Sequence, residues 1–248
     1  MALQLCDSDV VRPAPAAWPY ALLRPLLMVC LAFTLGACGA PEPYTEGKLA
    51  DGTVSVLLTH LKSLGEGNQK VIAELESSKD WDGLAKAAEA SIKLNPHNAD
   101  WWFVAGYAYS RSGRHGLAVE RFTQRVRLAP DDMVGWNLLA QAHRDAGQPL
   151  RAVQTLTNAH VVRPGTPATY YLLGESYSDL NRYLPAAAAY RESVKLDSKF
   201  ARAWFGLGRS AAELGNRGDY DQAIKNLREL DPALAKELAA IRPRQRSN

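Results

Sequence analysis

The chain has 248 residues, 22% of them charged and 47% hydrophobic, with a formal net charge of +3. That balance excludes a wholly disordered or collagen-like chain and supplies enough apolar surface for a buried core. Lys and Arg are interspersed with Asp and Glu, so the concentrated basic face that nucleic acid requires is missing and nucleic acid is not an expected partner.

Residues 1–37 read as a signal peptide. An uncharged run from Leu26 to Ala37 follows Arg24; its twelve residues are too few for a spanning helix, which needs about 20, but suit a secretory leader. The stretch before Arg24 is long for a leader and carries Asp7 and Asp9, which leaves the translation start open. The three cysteines, Cys6, Cys30 and Cys38, all fall in or directly after this segment, so the body has no disulfide framework, cysteine nucleophile or thiolate zinc site. Leu35-Gly36-Ala37-Cys38 resembles the lipobox of bacterial lipoproteins. The resemblance implies cleavage before Cys38 and acylation of that residue, whose lipid chains then hold the protein at a membrane. Gly39 in place of Asp implies the outer membrane, facing the periplasm. Residues 38–52, rich in Pro and Gly without apolar period, read as a flexible tether.

From Thr53 to Ile241 the sequence repeats. Thr53 to Leu64 predicts a capping helix with Val54, Leu57, Leu58, Leu61 and Leu64 on one face. Pro96, Pro130 and Pro164 then stand 34 residues apart, as do Gly113, Gly147, Asn181 and Gly215, and Asn98, Asp132 and Thr166. Asn, Asp and Thr cap helix starts, Gly or Asn closes a first helix in the left-handed region, and Pro ends a second helix. Between these marks, Trp102, Ala105, Gly106 and Tyr109 recur as Trp136, Leu139, Ala140 and His143, then Tyr170, Leu173, Gly174 and Tyr177, then Trp204, Leu207, Gly208 and Ala211. The second helices carry Ala118 with Phe122, Ala152 with Leu156, Ala186 with Tyr190, and Ala223 with Leu227. A first, weaker repeat spans about Gly65 to Asn98, with Asn68, Val71, Ile72 and Leu75 in its first helix. The last repeat reads as gaining three residues at Arg217-Gly218-Asp219, with its second helix running Tyr220 to Leu230. Ala233 to Ile241 predicts a closing cap, and 242–248, with Arg242, Arg244 and Arg246, a basic disordered tail.

This pattern of Trp, Leu-Gly, Tyr, then Ala, an aromatic and Pro resembles the tetratricopeptide repeat, or TPR. The resemblance implies an all-α, right-handed α-solenoid of about five stacked helix–turn–helix units with capping helices. Arg125 and Ser193 depart from the family's late Ala, and His143 from its Tyr. In that family the first helices line a concave groove for a protein or peptide partner. Carried over by position, the groove holds Phe103, Tyr107 and Arg111; Asn137, Gln141 and Arg144; Tyr171, Glu175 and Ser178; Arg202, Phe205 and Arg209. Val104, Leu138 and Leu172 stand where the carboxylate clamp of chaperone-binding members needs polar residues, which argues against that use.

No catalytic residue, metal site or cofactor is expected. His60, His97, His115, His143 and His160 never stand three or four apart, no phosphate loop or serine elbow is present, and His143 occupies a packing slot. The expected role is a membrane-tethered scaffold that binds protein partners in the cell envelope. The alternatives are a self-associating structural lipoprotein, hence a homo-oligomer, and an accessory factor in cell-wall, outer-membrane or pilus assembly.

Overall fold

A computed structural model of the chain describes residue 61 and residues 64–244. The predicted leader, the predicted tether and Cys38 lie outside the described residues, as does the predicted first cap except Leu61 and Leu64, both of which are buried.

Among the described residues there are eleven helices and no strand. They are α1 (Glu66–Ser77), α2 (Trp81–Leu94), α3 (Ala99–Arg111), α4 (His115–Leu128), α5 (Met133–Asp145), α6 (Pro149–Val162), α7 (Pro167–Asp179), α8 (Tyr183–Leu196), α9 (Ala201–Leu214), α10 (Arg217–Leu230) and α11 (Pro232–Ala240). Each helix packs on its neighbours in sequence, and α5, α7 and α9 also touch one another in turn. This is the expected α-solenoid, with odd-numbered helices on one side and even-numbered ones on the other up to α10.

The turns inside the hairpins are built identically. Residues 79, 113, 147, 181 and 215 all have positive φ, between 57° and 75°. In each turn the following N–H donates to the carbonyl five residues back, at 2.8–2.9 Å: Asp80 to Leu75, Arg114 to Tyr109, Gln148 to His143, Arg182 to Tyr177 and Asn216 to Ala211. These are the bonds of a Schellman termination, which needs a left-handed residue one place earlier. Lys79 is the fifth member of the series that Gly113, Gly147, Asn181 and Gly215 form in the sequence.

Starts are fixed as regularly. Asn98 Oδ1 accepts from Asp100 N, Asp132 from Val134 N and Gly135 N, and Thr166 exchanges bonds with Thr169 in a capping box. The tryptophans lock each unit to its predecessor: the indole N–H of Trp102, Trp136 and Trp204 donates at 2.8 Å to the carbonyl six residues back, of Pro96, Pro130 and Ser198.

Small residues let paired helices approach. A Cβ on Gly106 would sit 2.7 Å from the Phe122 ring, and one on Gly174 2.7 Å from the Tyr190 ring. Ala118, Ala152 and Ala186 are fully buried opposite them.

Three expectations are corrected. The last hairpin has no insertion: α10 starts at Arg217, in phase with Trp81, His115, Pro149 and Tyr183, and has the same 14 residues. Asn216 caps it through Asp219 N, so Arg217-Gly218-Asp219 form its first turn, and Tyr220 takes the slot of Ala118, Ala152 and Ala186. Val71, expected on the buried face of the first helix, is 49% exposed. Lastly, the tail does not leave the body at residue 242. Arg244 donates its N–H to Ala212 O at 2.9 Å and pairs with Glu213 at 2.9 Å. The Tyr220 hydroxyl donates to the carbonyls of Leu238 and Ile241, tying this strap to α11.

Candidate partner-binding groove

The twelve side chains assigned to the groove fall into two groups. On α3, Phe103 and Tyr107 are 1% and 5% exposed and belong to the same apolar cluster as Leu61 and Leu64. Phe103 meets Phe122 edge-on, and the Tyr107 hydroxyl donates to Glu76 at 2.7 Å beside the Trp81 ring. Burial, then the Glu76 bond, push the Tyr107 phenol well above its ordinary pKa. Arg111 is half-buried with its guanidinium over Trp81. Asn137 on α5 is buried too. Phe103, Tyr107 and Asn137 are therefore core residues at this end of the stack, which corrects their assignment to an accessible face. Leu61 and Leu64, which precede α1, pack in the cluster that the repeat pattern alone would leave open.

From Gln141 onward the side chains do meet on a partly open surface. Arg144 bridges α5 to α7, reaching Glu175 at 3.1 Å and Asp179 at 2.7 Å, and donates to Gln141 at 3.2 Å. Glu175 also accepts from the Tyr190 hydroxyl at 2.5 Å; burial and that carboxylate drive the phenol far above its usual range. Tyr171 leans on Tyr190 and, at 5.0 Å between centroids, on Phe200. Phe205 is half-buried, and Arg209 stands over its ring, exposed; Arg202 is exposed as well.

At the far end a cleft of about 230 Å³ opens between α7, the start of α8 and α9, bounded by Ser178, Tyr183, Tyr190, Gly206, Arg209, Ser210, Glu213 and Ile241. Ser210 and Glu213 were not among the expected site residues. Glu213 nevertheless continues the 34-residue step from Arg111 through Asp145 and Asp179. Among the described residues no group of three His, Cys, Asp or Glu is placed to hold a metal, and no helix is long and apolar enough to cross a membrane.

The tetratricopeptide repeat model matches residues 80–132 and 171–237 of this sequence. Over those residues the chain is similar to the tetratricopeptide repeat. A search of curated proteins gives no match. Solved TPR-like structures align over most of their length. MamA is 22% identical, with a TM-score of 0.59 over 67% of this chain and 97% of that one. PilW, a widely conserved type IV pilus biogenesis factor, is 19% identical with a TM-score of 0.58 over 69% and 83%. YrrB, a TPR protein with an unusual peptide-binding site, is 15% identical with a TM-score of 0.56 over 76% and 98%.

The departures from the TPR pattern now have physical reasons. Arg125, in the slot of the late Ala, reaches Asp100 at 2.6 Å and Asp132 at 2.8 Å, both acids at the start of a first helix. Ser193, two steps further in the same series, donates to Pro167 O at 2.7 Å, also at the start of a first helix. Both replace packing by a polar clasp between the end of a second helix and its own partner. His143 is buried and bonded to Gln148 at 3.1 Å, and burial holds its pKa below the ordinary value.

Proposed function

We propose that this chain is a lipid-tethered TPR scaffold that binds a protein or peptide partner in the bacterial envelope through the open half of its groove, without catalysing a reaction. The observation that carries the binding role is the row of Gln141, Arg144, Tyr171, Glu175, Phe205 and Arg209 along α5, α7 and α9. All six side chains are at least partly exposed, on the first helices of three successive units. Aromatic and Arg side chains dominate interface energetics, each hot spot contributing about 2 kcal/mol or more. A peptide-binding site on the same fold in YrrB, and the part PilW plays in pilus biogenesis, support this choice. The lipobox-like Cys38 supports attachment at the outer membrane, facing the periplasm.

Photo-crosslinking tests the groove. A benzophenone side chain at position 171 or 205 is expected to capture a discrete envelope protein, and one at Leu184, exposed on α8, is not. Equal capture at both places would remove the assignment. Incorporation of labelled palmitate by the wild type, and its loss in Cys38→Ser, tests the anchor separately.

A further inference from the structure

The cleft at the far end of the groove contains a polar group that the fold leaves unsatisfied. Ser210 is 1% exposed, and its hydroxyl has no hydrogen-bond partner. Its counterpart one repeat earlier, Ser176, is equally buried but donates to Leu172 O at 2.7 Å. A buried hydroxyl without a partner is costly, and a ligand atom that accepts its proton recovers that cost. Beside it on α9, Arg209 is exposed with its guanidinium held over Phe205 at 5.9 Å.

The surroundings favour one negative charge. Glu213, an acid of the cleft wall, is paired in charge with Arg244 of the C-terminal strap at 2.9 Å, although its Oε2 makes no hydrogen bond of good geometry. Glu175, behind Tyr190, is already engaged by that phenol and by Arg144. The floor is the Tyr190 ring lying against Gly206, where a Cβ would come within 2.5 Å of the ring; the missing side chain is what leaves room above it. Arg209 is thus the uncompensated charge of the cleft, matching a single carboxylate better than a dianionic phosphate.

We propose that this cleft is a carboxylate pocket, taking one Asp or Glu side chain of a bound partner segment on Arg209 and the Ser210 hydroxyl. The proposal rests on the groove reading above and names the chemistry that its far end selects. Arg244 acts as a positioning residue, because without it Glu213 would repel the incoming acid.

The test is an NMR titration of the ¹⁵N-labelled full chain in detergent, following the Arg209 and Ser210 amides. Three probes are used: acetyl-Ala-Ala-Glu-Ala-Ala-amide, the same peptide with Gln, and acetyl-pentaalanine with a free carboxylate. The Glu peptide is expected to shift both signals saturably, and the other two are not. Arg209→Gln should weaken the Glu peptide about tenfold and Ser210→Ala about fivefold, as expected for loss of a charge-assisted and a neutral hydrogen bond. Ser210→Ala should also unfold no earlier than wild type, since it removes an unpaired hydroxyl. Equal binding of Glu and Gln peptides, preference for the free terminus, or indifference to Ser210→Ala would each overturn the pocket. Crosslinking at position 171 that persists alongside any of these results would leave the groove itself standing.

Discussion

At the scale of single residues, the repeat is governed by how close two helices come, and the sequence records that distance as paired choices. Gly106 faces Phe122 and Gly174 faces Tyr190, whereas the repeat with Ala140 at the same place carries the smaller Leu156. Gly106→Ala should therefore cost about 1–3 kcal/mol by overpacking. Adding Phe122→Leu should recover much of the loss, with a coupling energy of about 1 kcal/mol or more in denaturant unfolding; strictly additive effects would contradict the contact. His143 makes a different prediction. Burial lowers its pKa in the folded state, so the folded chain binds fewer protons than the unfolded one just below the ordinary value of about 6.5. Stability is then complete above 6.5 and falls as the pH drops through the depressed folded value. His143→Asn keeps a donor toward Gln148 and cannot titrate. Whatever it does to absolute stability, the variant should lose part of the wild-type decline below pH 6.5 in unfolding free energies measured across that range.

At the scale of elements, caps, turns and hairpin boundaries were readable because each rests on a residue type that few others can replace. Asn98, Asp132 and Thr166 cap as expected, and Gly113, Gly147, Asn181 and Gly215 hold left-handed conformations. Lys79 gives no such signal, because nothing in a lysine favours positive φ; only its place in the 34-residue series marks it. The in-phase start of α10 was hidden for a related reason. Tyr220 stands where Ala is usual, and Ala223 three residues on drew the register with it, although both are buried in the structure. Lys79 is exposed and its backbone is already left-handed, which costs a non-glycine residue about 1–2 kcal/mol. Glycine relieves that strain and returns part of it as chain entropy, so Lys79→Gly should raise stability by up to about 1 kcal/mol. Calorimetry would show it as a higher Tm; a lower one would mean that the lysine side chain holds the turn.

At the scale of the whole molecule, a solenoid is a sum of units and nearest-neighbour contacts, and this explains why the groove was only half legible. Repeat register gives every first helix the same outward positions, but Phe103 and Tyr107 share a cluster with Leu61 and Leu64, which precede the first repeat and carry no repeat signal. Position within a unit predicts environment only where both neighbours are themselves repeats. The same logic predicts the consequence of removing a unit. Excising residues 133–166 joins Asp132 to Pro167, preserving an acidic cap followed by proline at the first helical position. The Arg125–Asp132 pair survives, since both partners precede the junction. Arg144 is lost, which frees Glu175 and Asp179. The shortened chain should remain helical, with a urea m-value lower by about a fifth, in proportion to the surface it no longer buries. It should also lose crosslinking at position 171, because the groove wall formed by α5 is gone. Collapse to an unfolded chain would show that coupling in this stack extends beyond adjacent units.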